Sequence, residues 1–218
     1  PTGTPDPLIA HHSEVLDPVH GLPGDYPLVT DDYLDRLQDA FVNAAGLAQA
    51  AGFDGVDVKS CHRYLVAELH ASFTRDGKYG GSLENRTRML RETLAKIGET
   101  HPGLLLTTRL NCYDAVRYPY GFAVNRDDYT VPDLSEPLTL IDWLEEIGIG
   151  LAGEGNAVTQ GDKDVALAGQ DDAIAPRLFQ HPAEFPRGGQ RNMFLVRTTV
   201  PRRAGIGATV AGINNDQR

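Results

Sequence analysis

VDVKSCHRYLVAELHASFTRDGKYGGSLENRTR, residues 56–88, decides how this chain folds. Val56 and Val58 mark a short β-branched strand over 55–59. Three side chains able to move protons or hold oxyanions, Lys59, His62 and Tyr64, crowd the point where that strand empties into a loop. Gly80-Gly81 then turns the chain, and Ser82 is placed to cap a helix with Glu84 in its first turn. Leu83, Leu90, Leu94 and Ile97 supply the buried stripe of that helix.

The same alternation extends in both directions. Upstream, Thr30 is an N-cap and Asp31 and Asp32 favour the positive end of a helix dipole. Leu34, Leu37, Phe41, Ala44, Ala45, Ala48 and Ala51 follow at three- and four-residue steps, and Gly52 ends the helix. Downstream, 98–103 turns the chain and 104–110 (LLLTTRL) reads as a strand apolar enough to be covered on both faces. A helix over 138–147 and a strand over 148–152 repeat the cycle. Helices and strands alternating through short connections predict a parallel α/β sheet, either doubly wound or closed as a barrel.

The pattern changes near Gly153. Residues 1–152 hold 12 Lys and Arg against 23 Asp and Glu, whereas 153–218 hold 8 against 7. No helical stripe persists after that point, and short apolar runs such as Met193 to Val196 interrupt Gly-, Asp- and Gln-rich stretches. A loop-rich, poorly ordered region over 153–218 is expected. Residues 1–29, rich in Pro, Gly and His, read as loop.

Composition narrows the function classes. A formal charge of −10 argues against a nucleic-acid surface or a polybasic membrane patch. No apolar run approaches the roughly 18–20 residues that span a bilayer. Two cysteines, Cys61 and Cys112, form neither a disulfide framework nor a CxxC metal knuckle, which favours the cytoplasm. His11, His12, Glu14, Asp17 and His20 lack the spacing of familiar metal sites, so no metal is expected. The chain begins with Pro1 rather than Met, which suggests a fragment or a processed chain.

In a parallel barrel, ligands collect at the C-terminal strand ends. Lys59 closes one strand and Arg109 lies near the close of the next, a pair of cations suited to an electron-rich ligand. A salt bridge to a neighbouring helix accounts equally well for Arg109, and for Lys59 taken alone a solvated strand end is the favoured reading. His62 and Tyr64 share a face if the chain stays extended there, and Lys59 joins them only if the strand turns. Cys61 reads as a small buried hydrophobe. KYGGSLENR (78–86) is no phosphate-binding P-loop, because the Gly-Lys-Ser/Thr ending is absent, and it reads as a rigid strand-to-helix connection.

AGFDGVDVKSCHRYL (51–65) followed by KYGGSLENRTR (78–88) resembles the Old Yellow Enzyme-like family of NADH:flavin oxidoreductases, in the stretch flanking its fourth barrel strand. The resemblance implies part of an eight-stranded TIM (β/α)8 barrel. It also implies an FMN-dependent oxidoreductase of the ene-reductase type, in which hydride from NADH or NADPH passes through the flavin to an activated alkene. By position, the family's substrate-anchoring pair falls on Lys59 and His62, its proton-donating Tyr on Tyr64, and its flavin-facing Arg on Arg109. The first anchor is usually His, so Lys59 is a departure, a mobile point charge with different reach. On this alignment the chain opens after the third barrel strand, and 1–152 is the middle of a barrel. His181-Pro182-Ala183-Glu184-Phe185-Pro186 resembles a family loop. The implied partner is a small-molecule substrate, with neither nucleic acid nor membrane, and open sheet edges leave room for a homo-oligomer.

Two other functions fit the residues taken alone. One is a truncated barrel remnant with no cofactor and no activity. The other is a Lys-dependent α/β-barrel lyase with a Schiff base at Lys59.

Overall fold

The computed structural model describes residues 7–151 and, beyond them, two strands over 193–198 and 208–212. The boundary at Gly153 and the 181–186 loop lie outside the described residues. The elements run α1 (Asp31–Ala50), β1 (Gly55–Ser60), α2 (Leu65–Leu69), α3 (Leu83–Arg86), α4 (Arg88–Thr100), β2 (Leu105–Leu110), α5 (Ser135–Glu146), β3 (Gly150–Leu151), β4 (Met193–Thr198) and β5 (Ala208–Gly212).

The expected α/β class is what the chain adopts. The sheet order is β3-β2-β1-β4-β5. β1, β2 and β3 are parallel neighbours, each one strand further along in the same direction, with helices between them. Three parallel strands advancing one step at a time, with helices between them, are what the arc of a (β/α)8 barrel contains. The C-terminal region, expected to be loop-rich, contributes two strands. β4 lies parallel on the other side of β1, pairing Gly55 with Met193 and Val58 with Val196, and β5 returns antiparallel to β4.

Local chemistry explains the boundaries. Thr30 Oγ1 accepts from the Tyr33 amide at 3.1 Å, capping α1, and Gly52 ends the helix at φ +85°. Ser82 accepts from the Asn85 amide as expected. The single helix expected after it is divided at Thr87, whose hydroxyl donates back to Leu83 O at 2.8 Å. α5 begins three residues before the expected Leu138, because Asp133 accepts from both the amide and the hydroxyl of Ser135. The strand expected from Gly148 begins only at Gly150. Gly148, at φ +78°, donates to Glu145 O and so completes the helix-ending turn. α2 is an element the sequence pattern did not reveal; five residues are too few for a visible stripe.

One core joins these pieces. Leu34, Leu37, Phe41 and Ala45 of α1 meet Val56 and Val58 of β1, Leu90, Leu94 and Ile97 of α4, and Leu140, Ile141 and Leu144 of α5. Full burial of each large aliphatic side chain is worth about 1.5–3 kcal/mol. β2 departs from the expectation of two covered faces. Leu105, Leu106, Thr107 and Arg109 are half-buried, and only Thr108 and Leu110 are sealed.

Candidate functional site

The register of β1 and β2 builds the site. Lys59 stands opposite Arg109, and Asp57 opposite Thr107. Successive strand residues point to opposite faces, so these four share one face while Val56 and Val58 take the helix-covered one. Arg109 Nε donates to Asp57 Oδ1 at 3.1 Å, and Thr107 Oγ1 donates to Asp57 Oδ2 at 3.3 Å. Burial pushes the Asp57 carboxyl up, against the pull of Arg109, Thr107 and Lys59. Arg109 Nη2 is buried and has no hydrogen-bond partner among the described residues. The salt bridge weighed for Arg109 therefore exists, but its partner is the adjacent strand rather than a helix.

The chain does not stay extended past β1. His62 and Arg63 adopt φ of 58° and 52°, the left-handed region uncommon for residues with a Cβ. Tyr64 returns to extended backbone as the N-cap of α2, and its amide reaches Cys61 O at 3.4 Å. The turn brings the first and last of the three residues together. Lys59 Nζ sits 3.8 Å from the centre of the Tyr64 ring, within cation–π range. Lys59 is 8% exposed, which excludes the solvated strand end. Tyr64 is 46% exposed, and His62 is exposed beside it. Cys61 is buried, as expected of a small hydrophobe.

Buried acids line the base of that turn. Asn111 Nδ2 donates to Asp114 Oδ1 at 2.6 Å, and the Phe122 amide donates to Asp114 Oδ2 at 2.8 Å. Glu68 is pushed up to about 8 by desolvation, and burial also raises Asp114. Arg63 lies within electrostatic reach of both. His70, at the end of α2, is fully buried with Nε2 3.3 Å from Ser60 Oγ.

The Gly-Gly-Ser-Leu-Glu-Asn-Arg block is structural. A Cβ at Gly80 would fall 2.1 Å from Arg75 O, and Gly81 has φ +81°. Arg86, 1% exposed, donates from Nε to Gly81 O (2.9 Å), from Nη1 to His70 O, and from Nη2 to Glu136 (2.6 Å). Arg75 ties Ala10 O, Val29 O and Asp31 through Nη1 and Nη2, while its Nε is buried without a partner among the described residues. Tyr79 donates to Asp35 at 2.6 Å. The block thus clamps the loop after β1 to α1, α5 and the N-terminal segment. In that segment His12 pairs with Asp17 at 2.8 Å and Glu14 with Arg117 at 3.3 Å. No group of three metal-competent side chains assembles among the described residues.

Asp57 is the member of the site that sequence reasoning missed. The signal was present in the period-two spacing of Asp57 with Lys59 and of Thr107 with Arg109, two polar pairs in otherwise apolar strands.

Two cations, a phenol and an imidazole thus gather where two parallel strands end. Residues 27–125 match the NADH:flavin oxidoreductase / NADH oxidase family. The Old Yellow Enzyme-like resemblance is borne out over that stretch. The chain is 33% identical over 125 residues to an NADPH dehydrogenase of Halalkalibacterium halodurans, covering 56% of this chain and 33% of the relative. It is 43% identical over 76 residues to an NADPH dehydrogenase of Clostridium acetobutylicum, covering 34% and 22%. An Old Yellow Enzyme structure from Pichia sp. AKU4542 superposes with a TM-score of 0.45 at 27% identity, covering 60% of this chain and 39% of that one. The chain spans about a third of the length of the first of these relatives.

Proposed function

We propose that this chain carries the acceptor-binding and proton-donating part of an FMN-dependent NAD(P)H oxidoreductase of the ene-reductase type, acting on a small activated alkene. The observation that carries the reading is the buried Nη2 of the half-buried Arg109, without a partner among the described residues and on the same sheet face as Lys59. A buried donor without a partner costs free energy unless something accepts from it. The pyrimidine edge of an isoalloxazine ring presents carbonyl and ring-nitrogen acceptors, so the residues present fit the ring. FMN, when bound, supplies the hydride that reaches the acceptor.

The chain's own residues then divide the work. Arg109 holds the pyrimidine edge and favours negative charge there. Lys59 and His62 donate to the acceptor's carbonyl oxygen, which polarises the conjugated alkene. Tyr64 gives its hydroxyl proton to the acceptor carbon that remains. The Lys59 ammonium lies 3.8 Å from the centre of the Tyr64 ring.

The ribityl phosphate is a separate matter. In a TIM barrel its site is built largely by the loops after the last two strands. The sequence after Gly153 does not show the Gly-rich strand ends that grip a flavin phosphate, so FMN is expected to bind this chain weakly and through its ring. A division at Gly153, with the barrel segment before it, belongs to the same proposal.

The test is the anaerobic reoxidation of photoreduced FMN by an enone in the presence of the chain. Tyr64→Phe should slow the enone step by about 10²–10⁴-fold, the usual contribution of a general acid. Flavin reduction by NADPH should stay nearly unchanged. Equal slowing of both half-reactions would remove Tyr64 from this role.

A further inference from the structure

We infer that Asp57 is the positioning residue of the flavin-facing guanidinium: it grips Arg109 by the Nε edge, so that the Nη2 edge is the part presented to a ligand. This rests on the flavin reading above and adds a residue to it. Four observations converge. Asp57 is 8% exposed and lies on the same face as Arg109, one register step away. One carboxylate oxygen takes Arg109 Nε at 3.1 Å, and the other is held by Thr107 at 3.3 Å, so the carboxylate has a fixed orientation. Arg109 Nη2 is buried without a partner among the described residues. Arg86, by contrast, donates from all three of its nitrogens, to Gly81 O, His70 O and Glu136.

A guanidinium is a planar fork, and fixing Nε sets the directions of its Nη donors. A long flexible side chain would otherwise lose rotamer entropy on meeting a ligand. Asp57 imposes that cost on folding instead and leaves binding free of it. It also sets the local charge. With Lys59 and Arg109 cationic and Asp57 anionic, the face presents one net positive charge. That charge suits a ring that carries a negative charge only in its reduced form.

The experiment is a double-mutant cycle on the whole chain, read by quenching of lumiflavin fluorescence. Lumiflavin has the ring system without the ribityl phosphate, so its affinity reports ring contacts alone. Arg109→Ala is expected to weaken it about tenfold, the loss of one charge-assisted hydrogen bond. Asp57→Ala should weaken it about as much, and the double variant no further than either single one. Asp57→Asn should recover most of the loss, because its amide oxygen still accepts from Nε. Circular dichroism identifies any variant that fails to fold. If Asp57→Ala fails, Asp57→Asn in the Arg109→Ala background takes its place and should change nothing. Multiplying losses in the double variant, or normal lumiflavin binding by Asp57→Ala, would overturn the inference while leaving the flavin reading intact. No lumiflavin binding by the unmodified chain would reject the flavin reading itself, and the inference with it.

Discussion

Arg86 is sealed from solvent and Arg109 half-buried, and the fold treats the two cations differently. Arg86 donates from every nitrogen, to Gly81 O, to His70 O and to Glu136, and its guanidinium stacks 3.8 Å from the Phe73 ring centre. Arg109 has its Nε on Asp57 and a buried Nη2 with no partner among the described residues. The two guanidiniums thus differ in how many of their nitrogens find a partner among the described residues. The same contrast divides the long connection after β1. Its distal half, 75–91, closes on itself. Its proximal half, 59–64, leaves His62 and Tyr64 exposed at a left-handed turn.

The sharpest way to break that contrast is to remove the saturated arginine. Arg86→Met leaves two backbone carbonyls and Glu136 without their donor, and should cost on the order of 3–5 kcal/mol, as for a buried pair that loses one partner. Urea unfolding followed by circular dichroism measures the loss. Arg109→Ala, which removes a partly exposed ion pair to Asp57, should lose far less stability. Equal losses would show that the two arginines do the same job.

The next effect is one of pH. His70 is pushed down to about 3, chiefly by burial and then by Arg86. Its folded-state pKa lies below its ordinary value of 6.5, so the unfolded chain binds the extra proton. Stability is therefore lost as pH falls below about 6.5 and toward 3. Glu68, pushed up to about 8, slopes the other way and loses stability as pH rises from its ordinary 4.5. Comparing His70→Gln with the unmodified chain at each pH isolates the histidine. The variant's melting temperature should fall less steeply between pH 6.5 and 4. Parallel curves would mean that His70 is not held neutral.

The smallest effect concerns the thiols beside the rim. Cys61 is 2% exposed, and burial pushes Cys112 up to about 12. Neither should react with Ellman's reagent at pH 8 in the native chain, and both should react in guanidinium. Rapid native reaction would mean that the strand ends open, which would undercut a fixed site there.

Much of this was legible in the sequence because local signals agreed with the global fold. Thr30 and Ser82 cap helices where short polar residues precede apolar stripes, and Gly52 ends one at positive φ. The structural role of Gly80-Gly81 and its neighbours also followed from residue type. What escaped depended on neighbours distant in sequence. That Asp57 meets Arg109, 52 positions away, is a matter of strand register. Whether Lys59 reaches Tyr64 turned on two left-handed residues that carry no glycine to announce them. The β4 and β5 strands lacked the alternation that marks a strand, and only pairing with β1 defines their place.

The central claim, that the Lys59–Tyr64 turn and Arg109 jointly seat a flavin ring and an acceptor oxyanion, meets its most direct test in a phenol titration. A phenolate stacked on oxidised flavin gives a long-wavelength charge-transfer band, and it needs donors for its oxygen at the place assigned to Lys59 and His62. With FMN in large excess over the chain, adding a phenol should produce that band, and His62→Ala should abolish it or weaken it strongly. A band of undiminished strength and unchanged phenol affinity in His62→Ala, or no band with the unmodified chain, would contradict the account.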